Sequence, residues 1–371
     1  MKPRMTLIDS NVGSEAGSGE RSRLSRRAFL KLASAAVVPL LAPKLAKAAP
    51  IPSDQRLTSA TASLATTAPP APLGRIATWW RQALRAEPAP NAEVLAWKSR
   101  DDLVPLTAAV HGEPPWPTNP IWYQTEEGYI HSGYVQPVRD EPQPVVEEVM
   151  DPGFWAEVSL PWADARWTPG SGYRAFRFYH GTVYRVIAVV QDEEGNSWYQ
   201  LKEGVNPWRP GPYVPAHTLR PISPDELTPL SPGNGDKKIV IDRQAQSLSC
   251  LEGDQTVFTT RISTGHASTP TPRGEFRVLY KRHTRRMTVS DIAEPYDLPG
   301  VPFTVYFTWS GVAIHGTYWH NDYGRVHSHG CVNATPEAAR WIFRWADPVV
   351  PYAEYTARAE PPSVGTPVIV V

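Results

Sequence analysis

The residues best suited to chemistry lie between positions 315 and 333, where one of the chain's two cysteines is surrounded by histidines. Cys331 stands in a Ser-His-Gly-Cys turn, and His315 precedes it by sixteen residues. A thiol becomes a strong nucleophile when a neighbouring imidazole takes its proton and a fixed group orients that imidazole. The pattern therefore indicates acyl transfer through a cysteine nucleophile.

Two predicted elements would position this pair. The apolar run Val312-Ala-Ile reads as a buried strand that delivers His315 at its end. Beyond Cys331, Thr335 has the character of a helix N-cap, and Pro336 suits the first position of a helix over 335–346. Because a helix N-terminus carries partial positive charge, it favours a thiolate placed just before it.

These motifs closely resemble the signature of L,D-transpeptidase catalytic domains of the YkuD type. The resemblance begins with His315-Gly-Thr and Ser328-His-Gly-Cys-Val-Asn333. It extends upstream to Ile239-Val-Ile-Asp-Arg, Ser263-Thr-Gly265 and Thr271-Pro-Arg-Gly-Glu-Phe276, in the same order as in the family. It covers residues 237–371, about a third of the chain. The fold that it implies is a β-sandwich with one helix.

The resemblance assigns the central chemical roles. Cys331 corresponds to the nucleophile that accepts the acyl group, and His315 corresponds to the general base. The backbone carbonyl of Gly316 would hold the imidazole tautomer, as an Asp does in serine triads. The backbone amides of Gly330 and Cys331 would form the oxyanion hole.

Further positions would shape the turn or contact the substrate. Ser328 and His329 belong to the turn, where His329 is as well explained by a structural hydrogen bond as by chemistry. Asn333, a candidate substrate contact, stands where many relatives carry Arg, so a cationic contact is not implied there. The stretch around Arg285 and Arg286 shows little strand pattern and corresponds to a lid. These two side chains could meet the carboxylates of a peptide stem, or they could be solvated loop charges.

A zinc site is the alternative for the same segment, which holds five potential ligands: His315, His320, His327, His329 and Cys331. Their spacing lacks the paired Cys-x-x-Cys or His-x-x-x-His pattern of structural zinc sites. We therefore predict no metal and no organic cofactor. His320 and His327 match no motif position and are interpreted as surface or loop residues. Cys250 is interpreted as a small buried hydrophobe.

The N-terminal residues predict export. Residues 1–48 contain the twin-arginine motif Ser25-Arg-Arg-Ala-Phe-Leu-Lys31, an apolar run, and the Ala-x-Ala cleavage site Ala46-Lys-Ala48. The apolar run is too short for a comfortable transmembrane helix, although a retained membrane anchor is the alternative. We expect the protein in the periplasm, the cell wall or the extracellular space, without a membrane span after signal removal.

Charge argues against nucleic acid as a partner. The whole chain balances 37 Lys and Arg against 37 Asp and Glu. Residues 1–48 hold nine basic and three acidic residues, which leaves 28 basic and 34 acidic residues after them. A mildly acidic protein without a basic face is not expected to bind nucleic acid.

Two spacers flank a pair of small β modules. Residues 49–75 are rich in Pro, Ala, Thr and Ser and read as a linker, and residues 223–236 read as a second one. Between them, Trp122-Tyr-Gln and Trp198-Tyr-Gln begin a faint repeat. Both copies resemble the closing half of bacterial SH3-like modules.

The repeat predicts SH3-like β-barrels over 76–140 and 141–222. A short helix is expected within 76–86, where apolar residues share one helical face. A hairpin is expected over 184–198, with Glu-Gly-Asn as its turn. The chain as a whole is therefore predicted to be mainly β, with the sandwich at 237–371.

The resemblance implies peptidoglycan L,D-transpeptidation. Cys331 would attack the carbonyl after an L-centre of a peptide stem and expel a terminal D-alanine, and an amine would resolve the thioester. Hydrolysis by water would make the protein an L,D-carboxypeptidase, and a wall-binding scaffold with a silent site is a further alternative. Peptide stems and carbapenem-type inhibitors are the expected partners. Residues 76–222 would place the enzyme on its substrate rather than take part in the chemistry.

Overall fold

A computed structural model describes residues 73–202, 211–233, 235–289, 296–360 and 364–371. Within these ranges the chain is mainly β, with 25 strands and one α-helix. The twin-arginine motif, the cleavage site and nearly all of the first linker lie outside the described residues. In the part that is described, no helix has the length and apolar character needed to cross a membrane.

The first segment forms two antiparallel sheets. Its strands are β1 (Leu73–Ile76), β2 (Gln82–Arg85), β3 (Val94–Lys98), β4 (Leu103–Pro105), β5 (Ala108–His111), β6 (Ile121–Thr125), β7 (Gly128–His131) and β8 (Val135–Val138). The sheet orders are β4-β1-β8 and β3-β2-β7-β6-β5. A 3-10 helix at Ser132–Tyr134 joins β7 to β8.

The helix predicted within 76–86 is wrong, because this stretch contains the end of β1 and the whole of β2. Ile76 and Leu84 are buried, but they belong to different strands and pair with Val135 and Ala96. Trp79 and Trp80 lie between the strands and are 79% and 82% exposed. Apolar residues in two short strands can imitate one helical face when only their spacing is read.

The second segment forms a seven-stranded sheet. Its strands are β9 (Phe154–Val158), β10 (Trp162–Thr168), β11 (Ser171–Tyr179), β12 (Val183–Gln191), β13 (Ser197–Lys202), β14 (Tyr213–Pro215) and β15 (Leu219–Pro221). Their order in the sheet is β11-β10-β14-β13-β12-β9-β15. The antiparallel pair β12–β13 confirms the predicted hairpin.

The internal repeat has a structural counterpart. In the second copy a 3-10 helix at Ala216–Thr218 joins β14 to β15, as the 3-10 helix at Ser132–Tyr134 joins β7 to β8 in the first. Both copies thus end in the order strand, 3-10 helix, strand. The SH3-like assignment itself stays a prediction. The linker predicted at 223–236 contains one more 3-10 helix, Asp225–Leu227.

The third segment is a β-sandwich. Its elements are β16 (Lys237–Asp242), β17 (Ser247–Glu252), β18 (Gln255–Arg261), β19 (Gly274–Arg277), β20 (Tyr280–Val289), β21 (Tyr296–Tyr306), β22 (Ala313–Gly316), β23 (Val332–Ala334), α1 (Pro336–Trp345), β24 (Thr356–Arg358) and β25 (Pro367–Val370). The two sheets run β18-β17-β16-β25-β19 and β23-β22-β21-β20-β24. Only the pairs β16–β25 and β22–β23 are parallel among the described strand pairs. The predicted β-sandwich with one helix is confirmed.

Helix α1 begins where the sequence predicts it. The Thr335 hydroxyl accepts a hydrogen bond from the Ala338 N–H at 3.1 Å, and Pro336 occupies the first turn. Ala339, Ile342 and Phe343 turn inward and pack on the sandwich. The helix thus closes one side of the core directly behind the Cys331 turn.

The stretch predicted to lack strands is instead a long hairpin of β20 and β21, paired from Tyr280 with Tyr306 to Val289 with Tyr296. The inward positions of β20 include Lys281 and His283, which are 1% and 0% exposed. Because these inward residues are polar, the strand does not show the alternation of apolar and polar residues that predicts a half-buried strand.

The second and third segments share one hydrophobic core. Trp155, Val183 and Ile222 are buried in the same cluster as the apolar residues of the sandwich and α1. The Trp155 indole N–H donates to the Tyr352 carbonyl at 2.8 Å. The described residues all belong to one compact unit, and the predicted boundaries near 140, 222 and 237 stay a prediction.

Candidate active site

The parallel strands β22 and β23 hold the two residues predicted to react. Ile314 pairs with Val332 and His315 with Asn333. Ile314 and Val332 are buried in the sandwich core, so His315 projects from the opposite face of the sheet. Cys331 immediately precedes β23, and its sulfur lies 3.7 Å from the Gly311 carbonyl oxygen, two residues before β22.

His315 is held in one tautomer. Its ring is 2% exposed, and Nδ1 lies 3.0 Å from the carbonyl oxygen of Gly316. A carbonyl accepts only, so Nδ1 carries the proton and Nε2 has the free lone pair that a base needs. Burial lowers the pKa of His315 to about 4, although the bond to Gly316 acts in the opposite direction. His315 is therefore neutral at pH 7 and able to accept a proton.

Cys331 is partly exposed, whereas Cys250 is fully buried in β17. Burial in the site raises the pKa of the Cys331 thiol, and the hydrogen bond from the Ala313 N–H opposes that rise. At neutral pH the pair therefore rests as a thiol and a neutral imidazole. Burial raises the pKa of Cys250 as well. Its position in the core matches the interpretation of this residue as a small hydrophobe.

The turn before Cys331 is fixed by Ser328 and Thr271. The Ser328 hydroxyl donates to the Cys331 carbonyl at 2.5 Å and accepts from the Gly330 N–H at 3.1 Å. The Thr271 hydroxyl donates to the Gly330 carbonyl at 2.8 Å and accepts from the Gly265 N–H at 3.0 Å. The upstream landmarks Ser263-Thr-Gly265 and Thr271-Pro thus support the turn.

Glycine is required at two points of this support. Gly330 has a φ of +122°, which L side chains rarely adopt. A Cβ on Gly265 would lie 2.2 Å from the Thr269 carbonyl oxygen and 2.9 Å from the Gly330 Cα. Of the two predicted oxyanion donors, the Gly330 N–H is already bonded to Ser328, which leaves the Cys331 N–H as the other candidate.

The predicted substrate contacts are engaged within the protein. Asn333 is 1% exposed, and its carboxamide lies 2.9 Å from His320 Nε2, so it faces the interior in this conformation. Arg286 forms a two-point ion pair with Asp297, with both distances 2.7 Å. Its guanidinium also lies 4.7 Å from the centre of the Phe176 ring.

The remaining predicted site residues, Arg285 and His329, lie in different places. Arg285 pairs with Val301 in the hairpin and lines a cavity between β20–β21 and the second segment. His329 is exposed, and its ring centre lies 5.7 Å from that of Tyr296. The structure therefore joins Ser328 and Gly330 to Cys331 by hydrogen bonds, and it places His315 and Gly316 on the strand that pairs with β23.

His320 lies in a loop, as one of the two predicted alternatives has it, but not at the surface, because it is 4% exposed. Its ring stacks on His327 with centres 4.4 Å apart, and His327 Nε2 lies 2.7 Å from an Asp322 carboxylate oxygen. His327 itself is partly exposed. Within the described ranges, no group of three or more His, Cys, Asp or Glu is arranged to hold a metal ion.

Three aromatic residues near the site were not predicted from the sequence. The Trp319 ring centre lies 5.8 Å from that of His315. Burial raises the pKa of Tyr296 and of Tyr306, and a negative charge on Cys331, once formed, would raise both further. Only Trp319 gave a signal that could have been used, since it lies four residues after His315 within the motif region.

Comparison with known proteins relates the third segment to a protein family. The family model described as the L,D-transpeptidase catalytic domain, YkuD, matches residues 236–370. L,D-transpeptidase 1 of Mycobacterium tuberculosis (strain ATCC 25618 / H37Rv) is 33% identical over 144 residues, which are 37% of this chain and 57% of that protein. The chain therefore spans little more than half the length of this curated relative.

Solved structures give the same family name. The Enterococcus faecium L,D-transpeptidase catalytic domain acylated by ertapenem is 27% identical, with 37% of this chain and 97% of that chain covered and a TM-score of 0.29. An L,D-transpeptidase from Mycobacterium smegmatis is 18% identical, with 71% and 100% covered and a TM-score of 0.30. The family match and the motifs together identify residues 236–370 as a YkuD-type L,D-transpeptidase catalytic domain.

Proposed function

We propose that this protein is a peptidoglycan L,D-transpeptidase that works through a thioester on Cys331. The observation that carries the proposal is the hydrogen bond between His315 Nδ1 and the Gly316 carbonyl at 3.0 Å. This bond leaves Nε2 as the base, on strand β22, which pairs with the strand that directly follows Cys331. The relatives that share the domain are named L,D-transpeptidases.

The chemistry would proceed in two balanced steps. His315 Nε2 takes the Cys331 proton as the sulfur attacks the carbonyl after an L-centre of a peptide stem. The new C–S bond forms, the peptide C–N bond breaks, and the imidazolium returns the proton to the departing D-alanine amine. In the second step an acceptor amine attacks the thioester carbonyl, His315 takes the amine proton, and the thiolate leaves and is reprotonated.

Two alternative functions use the same site differently. If water resolves the thioester, the protein is an L,D-carboxypeptidase. If the site is silent, the N-terminal segments would make the protein a wall-binding scaffold. The ordered turn at 328–331 and the oriented His315 favour a working site. We also propose that the twin-arginine motif brings the protein to the wall by export.

The test is mass spectrometry of wall fragments that carry tetrapeptide stems, after incubation with protein lacking residues 1–48. New dimers with an L,D-type link would support transpeptidation, tripeptides alone would indicate the carboxypeptidase, and unchanged fragments would contradict both activities. Cys331→Ala should leave the fragments unchanged. Cys250→Ser is the matched control, because it removes the other thiol from a core position and should leave activity measurable.

Ertapenem gives a second measurement on the same variants. Its lactam carbonyl should acylate Cys331, so the intact mass of the wild type and of Cys250→Ser should rise by one inhibitor. Cys331→Ala should show no such increase. An increase that persists in Cys331→Ala would place the nucleophile elsewhere.

A further inference from the structure

The loop between His315 and Cys331 is covered by the first segment of the chain. The Asn321 N–H donates to the Gly133 carbonyl at 3.2 Å, and the Asn321 side-chain amide donates to the Ser132 carbonyl at 3.2 Å. The Arg325 guanidinium lies 4.2 Å from the centre of the Trp116 ring. These contacts come from the 3-10 helix after β7 and from the loop between β5 and β6, both far from the catalytic motifs in sequence.

Arg75 makes the most enclosed of these contacts. Its side chain is 1% exposed, although it lies in the short strand β1. One terminal nitrogen donates to the Tyr318 carbonyl at 2.6 Å and to Gln136 Oε1 at 2.7 Å, and the other donates to Asp101 at 2.9 Å. A buried guanidinium is stable only when its charge and donors are satisfied, so these partners fix its position.

Two aromatic rings complete the contact. The Arg75 guanidinium lies 4.1 Å from the centre of the Tyr179 ring, and Tyr179 stacks on Tyr318 with centres 5.5 Å apart and planes 28° apart. The Tyr318 hydroxyl donates to the Pro299 carbonyl at 3.1 Å. Tyr318 is thus held at its carbonyl by the first segment, on its ring by the second, and at its hydroxyl by β21.

Tyr318 is close to the base in both sequence and space. It lies two residues after Gly316, whose carbonyl orients the imidazole. Its ring meets the next residue, Trp319, edge to face at 5.0 Å, and the Trp319 ring centre is 5.8 Å from that of His315. A shift of Tyr318 would therefore move both the orienting carbonyl and the Trp319 ring next to His315.

We propose that Arg75 is a positioning residue of the active site, which holds Tyr318 so that Gly316 and Trp319 keep His315 oriented and dry. The first segment then contributes to the geometry of the catalytic site, in addition to any role in binding the cell wall. The inference rests on the proposed function, because it assigns Arg75 to the base of that same reaction.

The experiment measures the second-order rate constant of ertapenem acylation from pH 4 to pH 8. The variants are Arg75→Met, which removes all five donors, and Arg75→Lys, which keeps the charge but loses the fork. Arg81→Met is the matched control, since Arg81 is an exposed arginine of the same segment. We expect Arg75→Met to react at least ~10-fold more slowly at pH 7, because small misplacements in a site cost rates of this order or more.

The dependence of the acylation rate on pH distinguishes a positioning role of Arg75 from a merely structural one. In the wild type the acylation rate should decrease at low pH, and the midpoint of this acid limb should lie near the pKa of buried His315, about 4. Arg75→Met should move that limb upward, toward the ordinary value near ~6.5, because water then reaches the ring. The acid limb of Arg75→Lys should lie between those of the wild type and Arg75→Met, and the acid limb of Arg81→Met should lie at the same pH as in the wild type.

Three outcomes would overturn the inference. The first is a folded Arg75→Met protein in which neither the acylation rate nor the acid limb of its pH profile changes. The second is an Arg75→Met protein that is acylated more slowly but whose acid limb lies at the same pH as in the wild type. If Arg75→Met does not fold, Tyr179→Leu replaces it, because that change removes the ring stacked on Tyr318 but keeps the ion pair between Arg75 and Asp101. A Tyr179→Leu protein with the acylation rate and acid limb of the wild type is the third outcome. A wild type that ertapenem does not acylate would instead overturn the proposed function, and this inference with it.

Discussion

At the scale of single residues, the protonation state of His315 decides how the site works. With Nδ1 bonded to Gly316 and the pKa lowered to about 4, the imidazole is a neutral base across the physiological range. Burial raises the pKa of the Cys331 thiol, which therefore keeps its proton at rest. The resting pair is therefore uncharged, unlike a preformed thiolate–imidazolium pair.

His315→Gln should slow ertapenem acylation by ~10²–10⁴-fold at pH 7, since that is the typical contribution of general-base help. His329→Gln is the matched control. His329 is an exposed histidine of the same turn and should keep a rate close to that of the wild type. A slow His329→Gln protein beside an active His315→Gln protein would show that the base is wrongly assigned.

At the scale of elements, the nucleophile turn is built from separate pieces of chain. The turn at 328–331 lies against Gly265, and both are joined by the hydroxyl of Thr271. Thr271 is 0% exposed. Its loss would leave a buried N–H and a buried carbonyl without their partner.

Thr271→Val keeps the shape of the side chain but removes these two hydrogen bonds. We expect a loss of about 1–3 kcal/mol in the free energy of unfolding, the usual cost of unsatisfied buried polar groups, and slower ertapenem acylation because the turn is released. Thr304→Val is the control, because Thr304 is equally buried and bonds to the Arg282 carbonyl in the hairpin. It should lose stability without losing rate. If ertapenem acylates the two variants at equal rates, Thr271 does not support the active site.

The elements also show how far sequence alone could lead. Strand β22 and helix α1 follow from a buried apolar run and from a clear N-cap, so they were predicted correctly. Strand β20 was missed because Lys281 and His283 face inward, and the helix over 76–86 was wrong because two strands share an apolar spacing. His320 lies in a loop, as predicted, but its burial was not foreseen, because it comes from contacts with His327, Tyr323 and Asn333 that no local pattern reveals.

At the scale of the whole molecule, buried neutral histidines are spread through all three segments. Burial lowers the pKa of each of them: His131, His180, His283, His315 and His320. The unfolded chain binds protons at these residues from about pH 6.5 downward, whereas the folded protein does not. The free energy of unfolding should therefore be highest above pH 6.5 and should decrease as the pH falls toward 4.

His283 should contribute strongly to this loss, since burial lowers its pKa to about 3. Its ring stacks on Trp155 at 4.4 Å and lies 4.9 Å from Phe343, at the junction of the second and third segments. His283→Phe should keep the stacking and reduce the difference in urea midpoint between pH 7 and pH 4.5. His111→Gln, at an exposed position, should leave that difference unchanged. A difference that His283→Phe does not reduce would contradict this account.

The parallel pair β16–β25 has a consequence for the time course of folding. Ile239 pairs with Val368 across about 130 residues, and β25 lies between β16 and β19 in the sheet. Closing so large a loop is entropically costly, and contacts between distant residues form late. Until they form, that sheet is split into two parts, and β17 and β18, which lead into Gly265, are not joined to β19, which follows Thr271. We therefore expect the nucleophile turn to be among the last features to form, so that a partly folded chain would carry Cys331 without the geometry needed for catalysis.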